Sequence, residues 1–119
     1  MDSNKAFSKL IRLVSQLRNP TKGCPWHLNQ NSFSLIPYLI EETYEVIDAI
    51  KFGSKINLKE ELGDLLFQII LHTEITNQKK DFNLNDVIEY INDKLIRRHP
   101  YIFKNRKKLN IKEAQKEWE

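Results

Sequence analysis

Apolar residues recur three or four positions apart along most of this chain, whereas no segment shows the strict alternation of a β-strand. This spacing places the apolar side chains on one side of a helix, where a neighbouring helix can cover them. The pattern predicts five helices, over residues 3–18, 34–53, 57–78, 83 or 85 to 98, and 111–118, with an irregular basic segment over residues 101–109. The whole chain, residues 1–119, is therefore predicted to be a single all-α domain.

Residues that favour helix ends mark the boundaries of these segments. Ser34 is predicted to cap the second helix, with Pro37 in its first turn, where a missing N–H costs little. Gly53 follows the last turn of this helix, in a position where helices commonly end in glycine. Asn57 and Glu60 have the spacing of a capping box and are predicted to begin the third helix.

The third predicted helix is apolar on nearly every side between Leu62 and Leu71. The predicted core faces are Leu35, Ile36, Leu39, Thr43, Val46, Ile47 and Ile50 on the second helix, and Leu58, Leu62, Leu65, Leu66, Ile69 and Ile70 on the third. A helix that is apolar all round needs cover on every side, and a chain of 119 residues has few helices to provide it. We therefore predict that a second subunit covers this helix, in a homodimer or a higher homo-oligomer.

Composition limits the class of protein. With 40% hydrophobic and 29% charged residues, the chain has the make-up of a globular domain rather than of a disordered segment. No apolar run approaches the length that crosses a bilayer, and the N-terminus lacks the apolar core of a signal peptide. The single cysteine, Cys24, excludes an internal disulfide. These features predict a cytoplasmic protein that has no membrane partner.

Two acidic pairs carry the strongest chemical signal. Glu42 and Glu45 in the second predicted helix, and Glu61 and Asp64 in the third, are each three residues apart. That spacing puts both carboxylates of a pair on one side of a helix, here at the edge of its apolar face. Acidic residues on solvated helix faces need no function, but carboxylates at the edge of a core are costly unless they are paired or bound to a cation. A cluster of four carboxylates is a ligand set that suits magnesium.

The net charge of +3 is unevenly distributed, because basic residues crowd the last quarter of the chain. Lys94 and Arg98 are four residues apart and share a face of the fourth predicted helix. Their positive charges suit the C-terminal end of the helix dipole. An equally good interpretation is that the two side chains together bind a phosphate group. The basic segment from Lys104 to Lys108 is also compatible with weak binding of nucleic acid.

The loop before the second helix contains Gly23-Cys24-Pro25-Trp26, followed by His27. Trp26 is stiffened by the preceding proline. It either covers the end of the helix bundle or offers a ring on which a nucleobase stacks. Cys24 lacks the His/Asn arrangement that would mark it as a nucleophile.

Six segments of the chain together resemble the MazG family of nucleoside triphosphate pyrophosphohydrolases. They are Leu17-Arg18-Asn19-Pro20, Gly23-Cys24-Pro25-Trp26, Pro37-Tyr38, Glu41-Glu42-Thr43-Tyr44-Glu45-Val46, Glu61-Leu62-Gly63-Asp64-Leu65-Leu66-Phe67 and Lys94-Leu95-Ile96-Arg97-Arg98-His99-Pro100. The resemblance covers nearly the whole chain, and Trp118 matches the closing helix of the family. It implies an all-α NTP pyrophosphatase helical bundle that is completed by dimerisation.

The resemblance also implies a reaction, in which a nucleoside triphosphate and water give a nucleoside monophosphate and pyrophosphate. Mg²⁺ is the implied cofactor, and non-standard nucleotides are among the expected substrates. The implied metal ligands are Glu42, Glu45, Glu61 and Asp64, with Glu41 beside them to assist catalysis, for instance by orienting water. The implied groups for the triphosphate are Lys94, Arg97 and Arg98, of which Lys94 and Arg98 are also implied in catalysis, while Trp26 borders the base.

Two departures from the family pattern concern the base pocket. His27 replaces the usual aspartate after the tryptophan, and Gln30-Asn31-Ser32 stands where relatives often carry Gln-Thr-His. The four implied metal ligands are intact. The alternative function is a catalytically weak regulatory module, or a helical domain that binds nucleic acid through its basic segment. The intact carboxylates argue against a catalytically weak module, whereas the basic segment from Lys104 to Lys108 leaves binding of nucleic acid open.

Overall fold

The computed structural model of the protein describes residues 3–119, and over that range the chain forms helices and no strand. The helices are, in chain order, α1 (Ser3–Leu17), α2 (Pro25–Leu28), α3 (Ile36–Phe52), α4 (Lys55–Gln78), α5 (Leu84–Arg98), α6 (Pro100–Phe103) and α7 (Ile111–Trp118). The all-α prediction is confirmed, and each predicted helix is present. The short helices α2 and α6 were not predicted, so the segment 101–109 is less irregular than expected.

The start of α3 differs from the prediction, because Leu35 rather than Ser34 occupies the cap position. Ser34 is engaged in the preceding turn, where its N–H donates to Asn31 Oδ1 (2.8 Å) and its Oγ accepts from the Asn31 N–H (2.9 Å). A hydroxyl that bonds backward in this way is not available to the helix that follows. Pro37 lies in the first turn of α3, as predicted.

The junction between α3 and α4 is also capped by a residue other than the predicted one. Ser54 precedes α4, and its side chain accepts a hydrogen bond from the N–H of Asn57 (3.1 Å). Asn57 is thus inside the helix and is not its cap. Gly53 ends α3 as predicted. A side chain would not fit there, because a Cβ would come too close to Asn57 Oδ1 and would lie 2.9 Å from the Ala49 carbonyl oxygen.

The core lies where α4 packs against α3 and α1. Its buried apolar side chains are Val14, Leu35, Val46, Ala49, Ile70, Leu71 and Ile75. Leu71 is buried together with Ile70. The face of α4 that packs in the core is therefore rotated about the helix axis from the predicted face. The helix is therefore covered on one side by α1 and α3 of its own chain.

Much of the predicted apolar face of α3 and α4 is exposed in the single chain. Ile47 and Ile50 of α3 keep 38% and 65% of their surface exposed, and Leu62 and Leu66 of α4 keep 49% and 41%. They stay exposed because α3 faces α4 with its Val46 and Ala49 side, so the predicted apolar faces are only partly covered within one chain. Seven exposed apolar or aromatic side chains of α3 and α4 are called the apolar surface below: Ile36, Ile40, Tyr44, Ile47, Leu62, Leu66 and Ile69.

A buried arginine connects the ends of three helices. Arg18, next to the end of α1, donates from Nε to Gln78 Oε1 at the end of α4 (3.0 Å). Its Nη1 donates to the carbonyl oxygens of His27 and Gln30 around α2. In return Gln78 Nε2 donates to the carbonyl oxygen of Arg18 (2.8 Å). This network fixes the α2 turn, and with it the Trp26 loop, on the bundle.

Replacing Arg18 with Met is expected to lower the free energy of unfolding by about 2–4 kcal/mol, because two carbonyl oxygens and the Gln78 amide lose a charged donor. Urea denaturation followed by circular dichroism measures the difference. Arg12→Met is the matched control, since Arg12 is exposed on the same helix. Equal unfolding free energies for the two variants would show that the network does not stabilise the fold.

The chain divides into two compact units, residues up to 83 and residues 84–119, each of which is described by itself. In the second unit α7 begins with a complete capping box. Glu113 N–H donates to Asn110 Oδ1 (2.9 Å), and Asn110 N–H donates to Glu113 Oε1 (3.2 Å). Among residues 3–119, no helix is both long and apolar enough to cross a membrane.

Candidate functional site

Four carboxylates converge between α3 and α4. Glu42 and Glu45 come from α3, Glu61 and Asp64 come from α4, and one oxygen from each lies within 4.8 Å of the others. The three-residue spacing in each helix aligns the two members of a pair, and the packing of α3 against α4 brings the pairs together. We call this group the acidic cluster. The structure thus unites the four residues that the sequence had singled out.

Mutual repulsion and burial change the protonation of the acidic cluster. A hydrogen bond with Glu45, followed by partial desolvation and the nearby negative charges, raises the pKa of Glu61 to about 7. Desolvation first, and then the charges of Glu45 and Asp64, also raise the pKa of Glu42. Carboxyls in this arrangement cannot all be ionised cheaply, so they hold a proton or need a positive charge among them.

The donor set fits a hard divalent cation. Glu42 Oε2 and Glu61 Oε2 are buried, and no described residue donates a hydrogen bond to either atom. Every ligand that the acidic cluster offers is a carboxylate oxygen, which is the type that Mg²⁺ and Ca²⁺ prefer. A cation bound there would satisfy both oxygens and remove the repulsion between the carboxylates.

Cation binding is expected to strengthen as the pH rises from about 5 to about 8, with release of protons. Since the pKa of Glu61 is about 7, its carboxyl is protonated below neutral pH and must lose that proton to bind a cation. We expect about one proton released per Mg²⁺ at pH 6 and almost none at pH 8. Calorimetric titration in two buffers of different ionisation enthalpy measures this release. Identical heats in both buffers at pH 6 would contradict the expectation.

Glu41 lies beside the acidic cluster but is not one of its converging members. Its side chain is exposed, and its charge is the smallest contribution to the raised pKa of Glu42. The structure therefore places Glu41 close enough to act electrostatically on the cluster. Its predicted role in catalysis stays a prediction.

Trp26 belongs to a group of rings that joins α2, α3 and α4. Its ring centroid is 4.9 Å from that of His27 and 5.4 Å from that of Tyr38, both in edge-to-face contact. His27 in turn meets Phe67 of α4 at 5.8 Å. Trp26 nevertheless keeps 45% of its surface exposed. It therefore packs on the bundle and still presents an open ring, so the two roles considered for it are compatible. We call these four rings the aromatic group.

Two members of the aromatic group, Tyr38 and Phe67, lie about one helical turn from the acidic cluster along α3 and α4, a rise of about 5.4 Å. Tyr38 precedes Glu42 by four residues in α3, and Phe67 follows Asp64 by three residues in α4. The sequence interpretation missed Tyr38 and Phe67 as site residues. The signal was present in their spacing, which puts each of them on the side of its helix that carries the acids.

Within the second unit, the two predicted phosphate-binding cations meet at one aromatic ring. Lys94 Nζ lies 5.5 Å from the ring centroid of Trp118, and Arg98 Cζ lies 5.8 Å from it. Arg98 also donates to the carbonyl oxygen of Trp118. The predicted shared face of Lys94 and Arg98 is confirmed, whereas Arg97 is exposed outside this contact. Trp118 was not predicted to hold these cations.

A family model, "MazG nucleotide pyrophosphohydrolase domain", matches residues 30–103, which include the whole acidic cluster. The chain belongs to the MazG family. The resemblance inferred from sequence motifs is thereby confirmed. The matched range also contains Lys94 and Arg98, whereas Trp26 and Trp118 lie outside it.

This MazG chain is also similar to two curated relatives and to one solved structure. It is 40% identical over 113 residues to the "Nucleoside triphosphate pyrophosphohydrolase" of Escherichia coli K12, covering 95% of this chain and 43% of the relative. It is 46% identical over 97 residues to the "Nucleoside triphosphate pyrophosphohydrolase/pyrophosphatase MazG" of Thermotoga maritima, covering 82% of this chain and 38% of the relative. The chain thus spans less than half the length of these relatives.

The fold agrees with that of a solved MazG-related protein of similar size. The crystal structure of a mazG-related protein from Thermotoga maritima superposes with a TM-score of 0.76 at 28% sequence identity. The match covers 93% of this chain and 94% of that one. A likeness over nearly the full length of both chains confirms the all-helical MazG fold.

Proposed function

We propose that this chain hydrolyses nucleoside triphosphates to nucleoside monophosphate and pyrophosphate, with Mg²⁺ as its cofactor. The observation that carries the proposal is the convergence of Glu42, Glu45, Glu61 and Asp64, two of which have buried oxygens without a donor among the described residues. Membership of the MazG family and the printed names of the curated relatives support the same reaction.

The acidic cluster is proposed to hold the cation through all four carboxylates. When bound, Mg²⁺ would supply the positive charge that polarises phosphoryl oxygens and neutralises charge on the departing pyrophosphate. Glu41, exposed beside Glu42, is proposed to orient the attacking water and to accept its proton. One P–O bond forms to the water oxygen and a P–O bond of the anhydride between the α- and β-phosphates breaks, which yields nucleoside monophosphate and pyrophosphate.

The triphosphate itself is proposed to be held by Lys94, Arg97 and Arg98. The ring of Trp118 restrains the first and last of these cations, so they are partly ordered before any substrate binds. Trp26 is proposed to border the nucleobase, because its half-exposed ring contacts Tyr38, which lies one turn before Glu42 in α3. Non-standard nucleotides are included among the proposed substrates.

The active form is proposed to be a homodimer or a higher homo-oligomer. The apolar surface on α3 and α4 supports this, because side chains such as Ile40 (52% exposed) and Leu62 (49% exposed) have no cover within the described chain. Exposed apolar groups gathered on two adjacent helices are typical of a subunit interface.

The proposed reaction is tested by incubating the purified chain with each common NTP and dNTP, and with non-standard nucleotides, with and without Mg²⁺. Nucleoside monophosphate and pyrophosphate, formed only with Mg²⁺, is the expected result. Nucleoside diphosphate and phosphate would show that the cation site is right and the reaction wrong. No turnover, with Mg²⁺ binding retained in calorimetry, would favour the regulatory module.

A further inference from the structure

A cleft in the second unit is lined by residues that the proposed reaction does not use. Its volume is about 440 Å³, whereas small-molecule sites in proteins span roughly 300–1,000 Å³. The lining is partly basic and partly apolar, and it consists of Tyr101, Ile102, Arg106, Lys107, Lys108 and Leu109. None of these residues belongs to the acidic cluster, to the aromatic group or to the cations that contact Trp118.

Backbone hydrogen bonds fold the chain around this cleft. The N–H of Lys107 donates to the carbonyl oxygen of Tyr101 (3.1 Å), and the N–H of Asn105 donates to that of Pro100 (3.1 Å). These bonds tie the segment that follows α6 back onto α6, and the capping box of α7 fixes its other end at Asn110. The basic side chains of the cleft are thus carried by a closed turn that is anchored at both ends.

The positive charge of the cleft is not balanced by acids nearby in the sequence. Every charged residue from Lys94 to Lys112 is basic. Arg106, Lys107 and Lys108 are consecutive and exposed, and they line one concave surface. Their charges repel one another, and an anion bound among them relieves that repulsion. Arginine and lysine are the side chains with which proteins commonly hold phosphate groups.

The charge and the volume of the cleft favour a small molecule with linked phosphates. One phosphate group carries about 1.5–2 negative charges at pH 7, so a pair of linked phosphates matches three cations better than a single one does. Tyr101 and Leu109 are half-buried and offer an apolar side to an organic group. A single-stranded nucleic acid typically occupies a groove of about 4–16 nucleotides, which is more than a cleft of this volume holds.

We propose that this cleft is an anion site for a small molecule with two or more linked phosphate groups, such as pyrophosphate or a nucleoside triphosphate. Arg106, Lys107 and Lys108 hold the phosphates, and the organic part of a nucleotide rests on Tyr101 and Leu109. The cleft adds a second phosphate-binding site to the triphosphate site proposed above. The inference does not depend on hydrolysis by this chain.

The test measures calorimetric binding of pyrophosphate to the whole chain, in a buffer with EDTA that keeps cations from the acidic cluster. The triple variant Arg106→Gln, Lys107→Gln and Lys108→Gln is expected to bind pyrophosphate about tenfold more weakly than the wild type, because the phosphates lose charged hydrogen-bond donors. Glutamine keeps the backbone N–H groups that close the turn. Thermal unfolding of each variant shows that the fold is retained.

A matched control removes the same number of charges elsewhere. Lys9→Gln, Lys51→Gln and Lys79→Gln, combined in one variant, neutralise exposed lysines of the first unit and should change the affinity by less than about twofold. An equal loss of affinity in this variant would show that only net charge matters, and it would overturn the site. No binding of pyrophosphate to the wild type would overturn it as well.

A further variant separates the cleft from the other proposed phosphate site. Lys94→Gln combined with Arg98→Gln removes the cations that contact Trp118 and should leave binding at the cleft in place. If this variant loses the binding of pyrophosphate and the triple variant keeps it, the anion binds only at the triphosphate site and the inference is overturned. Binding is measured without Mg²⁺ and without turnover, so failure of the hydrolysis proposal does not affect this result.

Two other ligands identify the source of the phosphates. A nucleoside triphosphate that binds more tightly than pyrophosphate, and loses this advantage in Tyr101→Ala, identifies a nucleotide as the ligand. Equal affinities identify the linked phosphates alone, and both results support the inference. A single-stranded oligonucleotide that binds more tightly than either, with an affinity that falls steeply as salt is added, would identify a nucleic-acid site and overturn the inference.

Discussion

Replacing Glu61 with Gln is expected to abolish nucleotide hydrolysis while leaving the helical content intact. Glu61 supplies one of the four converging carboxylates, and an amide in its place removes a full negative charge from the proposed cation site. Loss of a group that stabilises transition-state charge typically costs about 10²–10³-fold in kcat, and loss of cation affinity adds to it. Turnover and Mg²⁺ binding are measured for the same preparation, with circular dichroism for the helices.

The same variant is expected to be more stable than the wild type when no cation is present at pH 8. The folded pKa of Glu61, about 7, lies above the ordinary value of 4.5, so the folded state binds more protons between these values. The stability contributed by this carboxyl is therefore fully present below 4.5 and is lost as the pH rises through 7. A glutamine does not titrate. The two proteins should consequently differ little at pH 4.5 and most at pH 8.

Glu60→Gln is the control for both measurements, since Glu60 is the exposed neighbour of Glu61 in α4 and lies outside the acidic cluster. It should retain turnover and the pH dependence of the wild type. Unchanged hydrolysis by Glu61→Gln would refute the assignment of Glu61 as a cation ligand. A difference in stability that does not depend on pH would refute the assignment of the raised pKa.

Replacing Leu66 with Lys is expected to convert the protein into a monomer and to lower its activity more than tenfold. Leu66 is 41% exposed in the single chain, so a lysine there costs the isolated subunit little. In an interface between subunits the same charge would be buried without a partner, which costs several kcal/mol. Sedimentation velocity measures the mass, and the pyrophosphate assay measures the activity of the same sample.

Glu60→Lys adds the same side chain to the polar side of α4, and it should sediment as the wild type does. A wild-type protein that sediments as a stable and active monomer would refute the proposed second subunit. A Leu66→Lys variant that stays an oligomer would show that the interface lies on another surface.

Local sequence signals predicted the positions of the helices more accurately than the residues that cap them. The prediction for α7 was accurate at both ends, and its start is fixed by the capping box of Asn110 and Glu113, which is complete within four residues of sequence. At α3 and α4 the predicted caps were wrong, because several polar side chains compete there. Ser34 bonds to Asn31, and Ser54 takes the role expected of Asn57. Which of several candidates bonds to the backbone depends on loop geometry that spacing alone does not specify.

The acidic cluster was predictable because it requires only a three-residue spacing of acids in each of two helices and the packing of α3 against α4. The aromatic group was less predictable, since its contacts join residues that are distant in the sequence. Trp26 contacts Tyr38 of the next helix, and His27 contacts Phe67 in the middle of α4. The functional roles of all these residues, and the extent of the chain as one domain, stay predictions.

The sequence by itself determined the all-α class, the approximate helix boundaries, the two aligned acidic pairs and the membership of the MazG family. The first three follow from residue spacing within a segment, which the geometry of a helix converts directly into position, whereas the family membership follows from the motifs that the chain shares with the family. Only the tertiary structure decided which side of α3 and α4 forms the core, and that Gln68 Oε1 is buried without a hydrogen-bond donor among the described residues. Those outcomes depend on how whole helices pack, where burial of Val46, Ala49 and Leu71 outweighed the more apolar faces that remain exposed.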